Sequence, residues 1–278
     1  MSTVSERSYT YISWGILGAF ALFSLFPIYW TLNTALKPMT LVNTMPPTFY
    51  PEQFRLDAII WVLSNARGYG AIIDSLIIAV GTTALSVFLG TLAGYGFSRF
   101  GDKLAGKHVA FWLLSTRMFP PIAVVLPIFF IWNRVGLSDT YTGLIVLYLT
   151  FNLPLTTWLM RDFFDKVPRS FEEAAYVEGH SRLSTFVRVI VPLVKQGLVA
   201  TTLLAWVFAW NEFLFAFMIS GESITPYTTT VTTLGRGNAV LWNRMMAFAF
   251  VVTIPPLLIL VTFRKNIIEG LSLGFTDL

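Results

Sequence analysis

Six stretches of the chain are apolar for long enough to cross a bilayer, and shorter polar or turn-rich segments separate them. A spanning helix needs about 20 mostly apolar residues. On that measure the pattern predicts helices over residues 12–36, 71–98, 108–132, 141–160, 196–220 and 244–263. Residues 1–11 are polar, carry one basic side chain, Arg7, and run straight into the first apolar stretch. A cleaved leader would have a shorter apolar core and a soluble domain behind it, so this segment reads as the start of an uncleaved first span. The connections differ in character. Residues 37–70 are rich in proline and aromatic side chains, among them Pro46, Pro47, Phe49 and Tyr50, and hold an apolar run at 58–63 too brief to span. Residues 99–107 and 133–140 are tight turns, while 161–195 is the longest charged stretch. The expected fold is therefore all-α and integral to the membrane, with six transmembrane helices in a single transmembrane domain over residues 1–278.

Composition agrees with that pattern. Of the 278 residues, 55% are hydrophobic and 12% charged, where a soluble domain carries about 25% charged residues. Half of the usual solvating surface is missing, so lipid has to take its place. The net charge of +4 forms no patch of the kind that binds nucleic acid, because the basic residues are scattered between apolar runs. They report orientation instead, since cytoplasmic loops retain Lys and Arg. With the N-terminus inside, 12 of the 19 basic residues fall on inner segments, 6 on outer ones and one, Arg117, within a span. Both termini and the charged stretch 161–195 are thereby expected in the cytoplasm. The chain has no cysteine, which excludes disulfides, thiolate metal sites and a cysteine nucleophile and leaves the redox compartment open.

Enzymatic signatures are missing. Gly101, Gly106 and Lys107 have the spacing of a phosphate-binding loop, but His108 stands where that motif needs Ser or Thr for Mg²⁺, and a membrane helix precedes it in place of a strand. The two histidines, His108 and His180, form no His-Glu-x-x-His and no ligand cluster at helical spacing. No nucleotide site, metal centre or cofactor is expected in this chain.

The most informative segment is 168–192. Ser170 followed three residues later by Glu173 predicts a capping box, and Glu172 and Glu173 lie where a helix dipole favours negative charge. Ala174 and Ala175 leave one face small enough for close approach by another surface, and Gly179 suits the left-handed residue that ends a helix. A second short helix is expected to follow and to stop before Pro192. The order Glu173-Ala174-Ala175, Gly179, then Val189-Ile190-Val191-Pro192 resembles the Glu-Ala-Ala loop of the membrane subunits of ATP-binding-cassette importers, with valine at two places where the family pattern has isoleucine and leucine. Further stretches at 114–121, 137–141, 151–154 and 209–213, and the terminal Asn266 with Gly270-Leu271, are similar to the maltose-type carbohydrate importers.

That resemblance implies a permease subunit of the bacterial inner (plasma) membrane that does no chemistry on its solute. The partners it implies are a second permease subunit, two ATPase subunits that bind the ATP and Mg²⁺, an extracytoplasmic solute-binding protein, and a sugar or sugar derivative as cargo. It further implies that Glu172, Glu173, Ala174, Ala175, Gly179 and Pro192 belong to a coupling region that docks on the ATPase. The blander reading, in which Glu173 only caps its own helix, does not account for the distant Gly and Pro, and both readings can hold together.

Ionisable residues inside spans are costly, usually face the bundle interior and often line a pathway. Arg117, Asn211 and Glu212 are the candidate pathway residues. At about 1.5 Å per residue, Arg117 and Glu212 differ in depth by about 10 Å along straight helices. Two readings stay open for them, a solute contact and a structural Arg117–Glu212 ion pair. Gly90 and Gly94, extended by Gly96, predict a helix-packing seam, and Trp14, Trp30, Trp132, Trp158 and Tyr141 read as interfacial belt residues. Three rival functions remain in view: an importer permease for a non-sugar solute, a membrane-embedded enzyme, and an ion-coupled transporter acting alone. The last would show broken helices at matching positions in two halves, of which Pro120-Pro121 and Pro255-Pro256 are a faint echo.

Overall fold

The structure, a computed structural model, describes residues 3–101, 106–235 and 241–272. Every regular element among the described residues is helical. α1 (Thr3–Ala35) leads into the short helices α2 (Met39–Val42) and α3 (Asp57–Ser64), and α4 (Ala66–Phe100) follows. α5 (Gly106–Ser115) passes through a 3₁₀ turn (Thr116–Met118) to α6 (Pro121–Arg134), and then comes α7 (Tyr141–Asp165). The charged stretch holds α8 (Ser170–Val177), α9 (Arg182–Thr185), a π turn (Phe186–Ile190) and α10 (Val191–Leu193). Last are α11 (Lys195–Trp210), α12 (Leu214–Ile219), α13 (Tyr227–Leu234) and α14 (Trp242–Ser272). The glycine–lysine spacing at 101–108 and the basic residues Lys103 and Arg236 fall wholly or partly outside the described residues, as do the side chains of Asn266, Gly270 and Leu271.

Among the described residues four helices are long and apolar enough to cross a membrane, or up to six if each of two sharply bent pairs counts as one span. The third and fifth expected spans are not the straight helices that hydropathy suggests. The third breaks at Pro120 and Pro121, where extended backbone at Phe119 (ψ 129°) and Pro120 (ψ 122°) interrupts the helix, and the two halves meet at 93°. Pro121 has no N–H to lose and its fixed φ starts α6. The fifth ends its first half at Trp210, loses regular helix over 211–213, and resumes as α12. α11 in turn meets the run Arg182–Leu193 at 79°.

The chain divides into two compact units, residues 1–69 with 230–254, and 70–229 with 255–278. In the first, α1 buries none of its apolar window and turns Phe20, Phe23 and Leu22 outward, as a lipid-facing helix should. The loop after it folds back on its end. Asn33 Nδ2 and Lys37 Nζ both donate to the Thr48 carbonyl, at 3.3 and 2.5 Å, and the Arg55 N–H donates to the Leu36 carbonyl at 2.9 Å. The apolar run at 58–63 is α3, with Ala58 and Val62 buried.

In the second unit α7 is the central helix, with Leu144, Leu147, Tyr148, Met160 and Phe164 fully buried. The expected glycine seam brings α4 onto it. A Cβ at Gly90 would stand 2.2 Å from Thr156 Oγ1, and one at Gly94 would stand 2.8 Å from the Arg161 amide, whereas Gly96 meets nothing within 4 Å. Gly197 similarly lets α11 approach the ring of Phe163, which a Cβ would meet at 2.3 Å. Small residues at helix crossings permit this contact without a hydrophobic driving force in lipid.

Candidate functional site

The segment after α7 is built from local backbone rules. Ser170 is the first residue of α8 and the cap position falls on Arg169, which makes no side-chain cap. The expected capping box therefore does not form. The chain is already turning at Arg169, so the N–H groups of Phe171, Glu172 and Glu173 donate to the carbonyls of Pro168 and Arg169 at 2.9–3.3 Å. The end of α8 is as expected. Gly179 has φ +90°, its N–H donates to the Tyr176 carbonyl, and His180 N–H reaches back to the Ala175 carbonyl, both at 3.0 Å, the paired bonds of a Schellman motif. Pro192 does not stop a helix that precedes it. It lies inside α10, and the π turn ahead of it, closed by Val191 N–H to the Phe186 carbonyl, gives room for a ring that would clash in a regular helix.

α8 has two faces. Glu172 and Ala175 are turned into the chain, while Glu173, Ala174 and Val177 are exposed, Val177 at 89%. The partner of Glu172 is Arg99, at the end of α4, with Nε 2.5 Å from Oε1 and both side chains nearly sealed off (6% and 10% exposed). The Tyr95 hydroxyl donates to the other carboxylate oxygen at 3.2 Å. The Arg99 Nη atoms donate to the carbonyls of Phe164 (3.0 Å) and Val167 (2.9 Å) at the end of α7. Behind this joint lies a core of Met160, Phe164, Phe186, Ile190 and Val194. Charge counting places Arg99 in a loop; it lies instead in the last turn of α4, one helical turn beyond Tyr95, and faces inward.

The three candidate pathway residues come together. Arg117, Asn211 and Glu212 line one cavity of about 540 Å³, with Phe119, Phe208 and Phe215 among its other walls. Both spans break there, so depth reckoned along straight helices does not apply. The Arg117–Glu212 ion pair, one of the two readings left open, is absent among the described residues. The guanidinium lies over the Phe208 ring, 4.9 Å from its centre, and the Glu212 carboxylate accepts the N–H groups of Phe215 and Ala216, both at 3.0 Å. The carboxylate thus satisfies the first donors of α12.

A second acid fixes the segment beyond α12. Asp139, in the left-handed conformation (φ 55°), accepts N–H groups from Gly221, Ser223 and Ile224 at 2.8–3.0 Å. Burial alone would raise its pKa, but these donors outweigh it and hold the carboxyl below its ordinary value of 3.8. Asp74 accepts the Tyr141 hydroxyl (2.6 Å) and the Thr225 N–H (2.9 Å), and Trp132 donates to the Gly143 carbonyl at 3.0 Å. Tyr141 and Trp132 thus have specific polar partners beyond an interfacial role. Among the described residues no three His, Asp or Glu side chains lie close enough to hold a metal ion.

Residues 86–270 match the family described as the binding-protein-dependent transport system inner membrane component. The chain is 32% identical to the trehalose transport system permease protein SugB of Mycobacterium tuberculosis, over 98% of both proteins. It is 30% identical to the inner membrane ABC transporter permease protein YcjP of Escherichia coli, over 93% of each. It is also 30% identical to the trehalose/maltose transport system permease protein MalG of Thermococcus litoralis, over 93% of this chain and 94% of the other. Its fold matches a chain from the crystal structure of a bacterial ABC transporter involved in the import of the acidic polysaccharide alginate, with a TM-score of 0.76 at 22% identity over 94% of this chain and 97% of that one. The chain is thus a multi-pass helical membrane protein that belongs to the family of inner membrane components of binding-protein-dependent transport systems.

Proposed function

We propose that this chain is the permease subunit of an ATP-driven importer for a sugar or sugar derivative, forming the translocation pathway with a second permease subunit. Two ATPase subunits bind ATP and Mg²⁺ and dock on α8; residues 161–195 and both termini face the cytoplasm. An extracytoplasmic solute-binding protein delivers cargo on the opposite side, where residues 37–70 offer Phe49, Tyr50 and Phe54 as exposed aromatic surface. The relatives named for trehalose and maltose support the solute class.

The observation that carries the coupling role is the division of α8 into an inward face tied to α4 and α7 and an outward face of Glu173, Ala174 and Val177. A short helix with a fixed end, one outward acid and a small residue beside it suits a groove on another protein. Closure of the ATPases displaces α8, the displacement reaches the spans, and the cavity at the helix breaks opens to one side and then the other. The lining of that cavity is aromatic and polar, as sugar faces and hydroxyls require. The test is Glu173→Lys in the complex reconstituted with its ATPases and binding protein. Charge reversal at a docked contact opposes like charges or strands a partner, so binding-protein-stimulated ATP hydrolysis should be lost while the permease remains in the membrane. Unchanged stimulation would refute the docking role.

A further inference from the structure

We propose that Arg99 is the positioning residue of this coupling: its guanidinium fastens α8 to the ends of α4 and α7, so that a push on α8 is delivered to two spans at once. The inference rests on the docking role of α8 proposed above. Arginine carries its donors in a rigid planar fork, and here the fork is spent on three elements. Nε holds Glu172 of α8 at 2.5 Å, Nη1 holds Phe164 O of α7 and Ser98 Oγ of α4, each at 3.0 Å, and Nη2 holds Val167 O at 2.9 Å. The Phe164 carbonyl, which also accepts the Val167 N–H at 3.0 Å, lies at the C-terminal end of α7, where a cation is favoured. The carboxylate is fixed from its other side by Tyr95, whose ring packs at 4.7 Å on Phe186 and 5.5 Å on Phe164.

The joint therefore has a close-packed backing, and close-packed contacts transmit displacement instead of absorbing it. Residues 166–169 connect α7 to α8, and without the clamp α8 would pivot about that short link, with the Arg169 bond to the Arg99 carbonyl at 3.3 Å as the remaining side-chain tie from the link to α4. Stability is a poor reason for such a pair, because a buried ion pair replaced by well-packed apolar groups is often neutral or stabilising. What the pair does fix is where the outward face of α8 stands relative to the spans.

The test uses this cysteine-free chain in the full complex, with spin labels at Phe171→Cys on α8, away from the docking face, and Val146→Cys on α7, both exposed, and the distance between them measured before and after trapping with ATP and vanadate. With Arg99 present, the distance should be narrow and the same in both states. Arg99→Met strands a buried carboxylate and is expected to assemble poorly, so the decisive variant is Arg99→Met with Glu172→Gln, which leaves no unpaired charge. That variant should co-purify with its partners, show a broadened distance that shifts on trapping, and lose roughly fivefold or more of the binding-protein-stimulated ATP hydrolysis, the lower end of ordinary coupling between sites. Arg99→Lys, which keeps the charge but not the fork, should fall between. An assembled double variant with a narrow, unchanged distance or full stimulation would overturn the clamp while Glu173→Lys, still inactive, upholds the docking surface. If Glu173→Lys is fully active, the docking surface fails and the clamp's role falls with it.

Discussion

Replacing Asp139 should loosen residues 221–224 within their unit without unfolding that unit. Its carboxylate accepts three backbone N–H groups, from Gly221 at 2.8 Å and from Ser223 and Ile224 at 3.0 Å. Hydrogen bonds to a charged group contribute about 1.5–3 kcal/mol each. The side chain is only partly buried, and solvent screening brings the figure nearer about 1 kcal/mol per bond. Three bonds then hold the segment by about 3 kcal/mol, and since every 1.4 kcal/mol is about a factor of ten, Asp139→Ala should speed hydrogen exchange at those three amides about a hundredfold. Alanine is also strained at φ 55°, by about 1–2 kcal/mol, so Asp139→Asn is the cleaner change. Its single carbonyl oxygen can still serve Gly221 and Ile224, which share Oδ1, while its amide opposes the Ser223 N–H on the other side. Exchange at Ser223 should rise most. The acid's pKa lies below 3.8 in the folded chain, so its contribution is complete above the unfolded value of about 3.9 and is lost as pH falls through the folded one. Protection should be insensitive to the ionisation of Asp139 from about pH 8 to about 5. Exchange in Asp139→Ala within about threefold of the unaltered chain, less than 1 kcal/mol by the same conversion, would refute the assignment.

Other changes have equally definite outcomes. Gly94→Leu should sharply reduce the yield of monodisperse protein in size-exclusion chromatography and Gly96→Leu should not, since a Cβ meets the α7 backbone at 2.8 Å in the first case and nothing within 4 Å in the second. Arg117→Met should cost less than about 1 kcal/mol in thermal stability, the worth of an unsealed cation–π contact; collapse of the protein would point to an ion pair. Gln53→Cys should react with an impermeant thiol reagent in intact cells and Ser181→Cys only after the cells are opened, and labelling of Ser181→Cys in intact cells would overturn the charge-based topology.

Much of the fold is legible because hydropathy and glycine act locally. The α4 and α7 spans are set by runs of apolar residues, and their crossing by Gly90 and Gly94, all visible without knowing what lies opposite. The breaks at 119–121 and 211–213 are harder, because apolar content averaged over a span is blind to whether its backbone hydrogen bonds continue. Pro120-Pro121 marks the first; the second follows Asn211, which no helix rule forbids. The capping box at Ser170 fails for a different reason: the backbone carbonyls of Pro168 and Arg169 take the N–H groups of Phe171, Glu172 and Glu173 first. The Arg99–Glu172 pair spans 73 positions, and nothing in either local sequence names the other. The cost of charge in lipid singles out the pathway residues but says nothing of their arrangement, in which Arg117 meets a ring and Glu212 meets backbone.

The π turn before Pro192 also sets a rotational phase. It holds one residue more than a regular helix would use over the same turn, and one residue is about 100° of rotation. Were the same residues wound as regular helix, everything beyond Phe186–Ile190 would turn by about that angle. Phe186 would keep its seat against Phe164, but Val194, which shares that core, would point elsewhere, and α11 would leave the joint on a different heading. Deleting one residue from the strip would remove the bulge and leave the phase beyond it unchanged, while bringing the Pro192 ring against the carbonyl four positions before it. The heading of α11 is thus held by the bulge, and the bulge by a ring that a regular turn has no room for.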